Sequence, residues 1–142
     1  MSTKKLKTAL FISEIAEKSA GSSFLLAQQR LSDQEAKLRQ MEKYKHDYMV
    51  LAGVYGGVTT DANSLKIARR FLEQLDEVVS RQTVTVSAHE EDLERYRQTW
   101  LHSRSYNKAI DTLISTRAAE EELERVKKHQ RVLDDFFASH DN

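Results

Sequence analysis

The sequence predicts an all-α protein in which two long helices form an antiparallel coiled-coil hairpin, the second helix being longer and carrying a C-terminal extension. Three observations predict it. The 142 residues contain no proline, where average usage would place about seven, so almost nothing interrupts a helical backbone. Three of the four glycines fall together, at Gly53, Gly56 and Gly57. Apolar residues recur at heptad spacing on both sides of that cluster.

The first helix is expected over about residues 3–52. With Leu10, Phe24, Leu31 and Leu38 at a positions, the same frame sets Leu6, Ala20, Ala27, Met41, Tyr48 and Tyr55 at d. Ser13, Glu17, Gln34 and Lys45 interrupt this seam. The glycine-rich turn covers about residues 53–60, where glycine supplies the positive φ that stops a helix. Thr60, Asp61 or Asn63 can then accept from the exposed N–H groups that open the next helix.

The second helix is expected over about residues 61–138, so that the two helices measure roughly 75 and 115 Å. Leu65, Leu72, Val79, Val86, Leu93, Trp100 and Ile114 share a, and Ala68, Leu75, Tyr96 and Ile110 share d, which places Trp100 and Tyr96 in the core. Gln82, His89, Ser103 and Asn107 are polar members of the seam, of the kind that sets register at some cost in stability. The single strand-like alternation, Thr83 to Val86, is embedded in this helical pattern. Folding at the glycines pairs residues whose numbers total about 117, bringing Tyr44 near Leu75 and Tyr48 near Phe71. Near residue 112 the first helix ends and the seam changes phase, continuing at Ala119, Leu123, Val126, Leu133 and Phe137. The last twenty-five or so residues are therefore expected to be unpaired within the monomer and supported by pairs such as Glu124 with Lys128. The whole chain forms a single coiled-coil domain.

Composition excludes much chemistry. Without cysteine there is no disulfide framework, thiolate zinc site or thiol nucleophile. None of His46, His89, His102, His129 and His140 has a glutamate three residues before it, as a di-iron bundle requires, and Leu93 occupies the closing position of the pattern opened by His89 and Glu90. No phosphate loop or nucleophile elbow is present, so neither an enzyme nor any cofactor or metal is expected. Basic and acidic residues balance at 22 each, which argues against an overall polycation for nucleic acid. That balance combines nine basic with six acidic residues in 1–60 and thirteen with sixteen in 61–142, mildly complementary helices. Lys4, Lys5 and Lys7 precede an apolar run that Ser13 and Glu14 end too early for a signal peptide, and nothing approaches a membrane span, so a soluble protein is expected. The acidic runs Glu90 to Glu94 and Glu120 to Glu124 read as solvated helix faces.

The informative excess of apolar side chains lies near the turn. Lys37, Met41, Tyr44 and Tyr48 repeat at i, i+4, i+7 and i+11, and Phe71, Leu75, Val78 and Gln82 repeat that spacing on the returning helix. Tyr44, Phe71 and Val78 flank the seam at positions a two-stranded coil leaves wet, so the two stripes adjoin as one exposed patch, with Lys37 and Gln82 at its edges. The competing reading is a locally thickened core.

These stripes, the turn between them and the ending Lys127-Lys128 with Asp134-Asp135-Phe136-Phe137-Ala138 resemble the FliJ family, the small coiled-coil component of the flagellar type III export apparatus. The resemblance implies a cytoplasmic stalk, peripherally associated with the inner-membrane export apparatus. It implies partners too: the export ATPase hexamer, whose ring it promotes, the cytoplasmic domain of the export gate, and export chaperones. On that analogy Met41, Tyr44, Tyr48, Phe71, Leu75 and Val78 contact the gate, the helix ends enter the ATPase ring, and the protein is a monomer. Two other readings stand beside it: the equivalent stalk of a virulence injectisome, and a structural homo-oligomeric coiled coil without an ATPase partner, assembled through its polar seam residues.

Overall fold

A computed structural model describes residues 2–51, 53 and 62–140, the side chain of residue 51 excepted. Two helices account for it, α1 (Thr3–Leu51) and α2 (Ala62–His140). Most of the expected turn, with Ala52, Tyr55, Gly56, Gly57, Thr60 and Asp61, lies outside the described residues. Ser2 opens α1 as its N-cap: its Oγ accepts from the Lys5 N–H at 3.3 Å and its carbonyl from the Leu6 N–H at 3.1 Å. Gly53 closes the helix with φ at 73°, a left-handed conformation that suits glycine, and its N–H donates to the Val50 carbonyl at 3.1 Å. The alternating segment Thr83 to Val86 is helical. Its threonine hydroxyls turn back onto the preceding turn, Thr83 Oγ1 to the Val79 carbonyl and Thr85 Oγ1 to that of Arg81, at 2.9 and 3.1 Å.

The chain divides into two compact units. One is Ser22–Gln98 and the other combines Met1–Gly21 with Thr99–Asn142. In each, a segment of α1 packs antiparallel against a segment of α2. In the Ser22–Gln98 unit the core comprises Ala27, Ala68 and Val86, with the buried polar residue Gln82 in the same layer system. In the other unit Leu6, Ile110 and Ser13 are buried.

The polar interruptions of the α1 seam are each paired with α2. In the first unit Gln82 Nε2 donates to Gln34 Oε1 at 2.9 Å, and Lys45 forms an ion pair with Asp76. In the second, Asn107 donates to Glu17, while the Ser13 hydroxyl lies 3.0 Å from Asn107 Oδ1 and 2.8 Å from the Leu10 carbonyl. Arg104 approaches Glu17 at 3.8 Å and stacks over the Trp100 ring at 5.0 Å. Polar groups in a seam are tolerable when they satisfy one another, and these do so across the helix pair.

Two expectations, one for Tyr96 and one for the pair Glu124 and Lys128, are not met. Tyr96 keeps 40% of its surface, so it is not the core residue the heptad frame makes it. A tyrosine can lay its ring beside a seam while leaving the hydroxyl in water, and periodicity does not distinguish that from full burial. Glu124 and Lys128 do not pair with each other; the pair in that turn is Arg125 with Glu122, held by two hydrogen bonds of 2.7 and 3.1 Å. Glu121 accepts from Thr3 Oγ1 at 2.9 Å, which marks where the start of α1 lies along α2. From residue 118 to 140 every residue is exposed.

Candidate partner-binding surface

The surface is built from one face of each helix in the Ser22–Gln98 unit. Because α1 and α2 are helical throughout this stretch, residues spaced by three and four align along each helix. Antiparallel packing then sets the two rows side by side. The rings of Tyr48 and Phe71 meet with centroids 4.5 Å apart and planes tilted by 58°. Such tilted contacts keep the positive ring edge near the negative face of its neighbour. Both residues are half-buried, and so are Met41 and Leu75.

Beside that pair, Met41, Tyr44, Leu75 and Val78 line a shallow groove of about 380 Å³ together with Lys37, Gln40 and Val79. Tyr44 retains 56% of its surface and Val78 39%, so the groove's outer wall is open to solvent. Phe71 is different in kind: Tyr48 covers part of its ring, which makes it a support of the surface more than an open contact. The six candidate residues thus form two adjoining groups, an aromatic pair and an apolar groove.

Gln82 is not at the edge of this surface. It is buried in the seam, where it donates to both the backbone carbonyl and the side-chain oxygen of Gln34. The bridge from Lys45 to Asp76 was not anticipated; Lys45 is a seam position and Asp76 adjoins the groove residue Leu75, a charge pairing that heptad position alone does not reveal. Gln40 and Val79 were also missed as groove lining, although each sits one residue from a candidate already noted.

A second exposed apolar group, in the other unit, went unrecognised as well. Phe11 and Ile15 line a groove with Trp100, and Ile12 lines another with Tyr106. Their signal was available: counted from Leu10 they fall on the outer positions of the heptad, where a solvated helix carries polar residues.

The acidic runs behave as solvated helix faces whose members pair locally. Asp92 binds Arg95, Glu94 accepts from Arg97 at 3.4 Å and from Gln98 at 2.8 Å, and Glu122 binds Arg125. The Arg125 guanidinium, through its hydrogen bonds and charge, holds the Glu122 carboxyl below the usual glutamate range, and Glu122 raises Arg125 in return. Among the described residues, no helix is long and apolar enough to cross a membrane.

Paired helices with internally satisfied polar layers and an open apolar groove define a class, the coiled-coil structural and adaptor components that act by presenting side chains to other proteins. The family model described as the flagellar FliJ protein matches residues 2–140, and the chain belongs to the FliJ family, making it a component of the flagellar export apparatus. No curated protein and no solved structure matches it.

Proposed function

We propose that this protein is a non-enzymatic stalk and adaptor of flagellar protein export, which promotes assembly and activity of the export ATPase ring and links it to the export gate and to export chaperones. Family membership supports the apparatus, and the open wall of Tyr44 beside Met41, Leu75 and Val78 is the observation that supports a docking role for this end of the hairpin. On this reading Met41, Tyr44, Tyr48, Phe71, Leu75 and Val78 meet the cytoplasmic domain of the gate, and the two helix ends enter the ATPase ring. Seated in the ATPase ring the protein works as a cytoplasmic monomer, held peripherally at the inner-membrane apparatus, and its mechanism is coupling through binding, without bond chemistry. The virulence injectisome has no comparable support, because the matched family model is flagellar. Assembly through polar seam residues is disfavoured too, since Gln82 and Asn107 find their partners within the chain.

The test is capture of the purified export ATPase by the full chain, with turnover measured at increasing chain concentration. Binding and stimulation are expected. Absence of both sinks the proposal, and retention of gate binding by Tyr44→Ala removes the assignment of the groove to the gate.

A further inference from the structure

The exposed part of α2 carries an apolar stripe with its own period. Leu123, Val126, Leu133 and Phe137 follow one another at spacings of a single heptad seam, with Gln130 completing it, and the four apolar side chains retain 37 to 62% of their surface. A row of this kind on a lone helix calls for a second helix. In its frame Lys127 and Asp134 occupy the same flanking position one heptad apart. Asp134 is also fixed at the stripe's edge by a 3.1 Å hydrogen bond from Gln130 Nε2.

We infer that residues 123–140 pair with the same residues of a second copy of this chain, antiparallel, so that Lys127 of each copy faces Asp134 of the other. In antiparallel coils like flanking positions meet, and the two-fold axis forms this attraction twice. The same register sets Val126 against Phe137 and Gln130 against Leu133 of the second copy. It also sets residue 123 against residue 140, so the overlap occupies the whole exposed stripe. The start of α1 in each copy stays just outside the overlap, because Thr3 is bonded to Glu121. Parallel pairing would instead call on Glu122 to meet Lys127, but Glu122 is engaged by two hydrogen bonds from Arg125, and it would stack Gln130 on its own copy. The pairing is independent of the ATPase reading. Where the extension also enters the ATPase ring, the two occupancies exclude one another.

Sedimentation equilibrium of the full chain from roughly 10 to 500 μM tests it, the average mass being expected to rise from 16.4 kDa towards twice that value. Lys127→Glu and Asp134→Lys should each weaken association about tenfold, and the double exchange should restore it, while helicity by circular dichroism stays unchanged because both positions are exposed. The chain has no cysteine, so a mixture of Gln130→Cys and Leu133→Cys copies should cross-link on oxidation far faster than Gln130→Cys alone. A monomer at every concentration, failure of the double exchange to restore association, or preferential cross-linking of Gln130→Cys to itself would each overturn the inference.

Discussion

Gln82 donates one side-chain amide to two acceptors of a single residue, the backbone carbonyl of Gln34 at 3.0 Å and its Oε1 at 2.9 Å. With 9% of its surface left, Gln82 has no aqueous alternative to this arrangement. Gln34→Leu removes the side-chain acceptor and should cost about 1–3 kcal/mol, the penalty for a buried donor that loses a partner. Gln34→Leu with Gln82→Leu should recover most of that loss, because replacing both members by apolar groups leaves nothing unsatisfied. Urea unfolding of the two single variants and the double variant gives the interaction energy directly, and simple additivity would show that the pair is energetically idle.

Tyr44 and Phe71 should separate when each is truncated. Tyr44 is mostly exposed, so Tyr44→Ala should change stability by no more than about 0.5 kcal/mol. Phe71 shares a ring contact with Tyr48, and Phe71→Ala should cost about 1–2 kcal/mol, below the value for a fully buried phenylalanine. Thermal melting distinguishes them. Equal destabilisation by both would move Tyr44 into the core and remove the open wall of the groove.

Much of the fold was legible because few physical choices were open. A proline-free chain with two heptad seams separated by glycines has to place Leu31, Leu38, Val79 and Val86 between helices, and it does. The facing of Tyr48 with Phe71 followed from the same register. Side-chain direction was less legible. Position alone did not tell which of its two places, seam or patch edge, Gln82 takes, that Tyr96 leans out, or that Arg125 reaches back three residues to Glu122 while Glu124 and Lys128 stay apart. These outcomes depend on rotamers and on which neighbour is nearest, both of which three- and four-residue spacings leave degenerate. Phe11, Ile12 and Ile15 were passed over because the seam at Leu10 explained their neighbourhood without them. The groove at Tyr44 was legible as a surface.

Gly21 lies under the indole of Trp100, and a β-carbon there would come within 3.2 Å of Trp100 Nε1 and 3.4 Å of Cδ1. Glycine inside a helix costs about 1 kcal/mol relative to alanine, so Gly21→Ala gains propensity and loses part of it to this crowding. Its net effect on stability should lie within about 0.5 kcal/mol. Gly21→Leu should push the ring outward and destabilise by about 1–3 kcal/mol. Trp100 is the chain's single tryptophan, so intrinsic fluorescence reads the site directly, a red shift being expected for Gly21→Leu and almost none for Gly21→Ala.

The exposed end of α2 should loosen in acid. Hydrogen bonding and charge from Arg125 depress the Glu122 carboxyl, so the folded form binds its proton less readily than the unfolded form does. The stabilisation is present above the ordinary glutamate value, about 4.3, and is lost as the pH falls through the lower folded one. The protection of amides around residues 120–127, measured relative to their intrinsic exchange rate at each pH, should fall over that interval. Glu122→Gln should flatten the response, and an unchanged acid profile in that variant would assign the effect to other carboxylates.

The amide of Gln82 also bears on what happens when one helix is pulled along the other. A slip of one heptad, about 10.5 Å, would carry it from Gln34 to Ala27 or Met41, neither of which offers a side-chain oxygen. The displaced state would bury an unanswered donor at about 1–3 kcal/mol before any apolar mismatch is counted. An apolar zipper can slide between near-equivalent registers, whereas this segment of the pair is keyed. Axial load on α1 here is passed to α2 as joint displacement instead of being dissipated in shear.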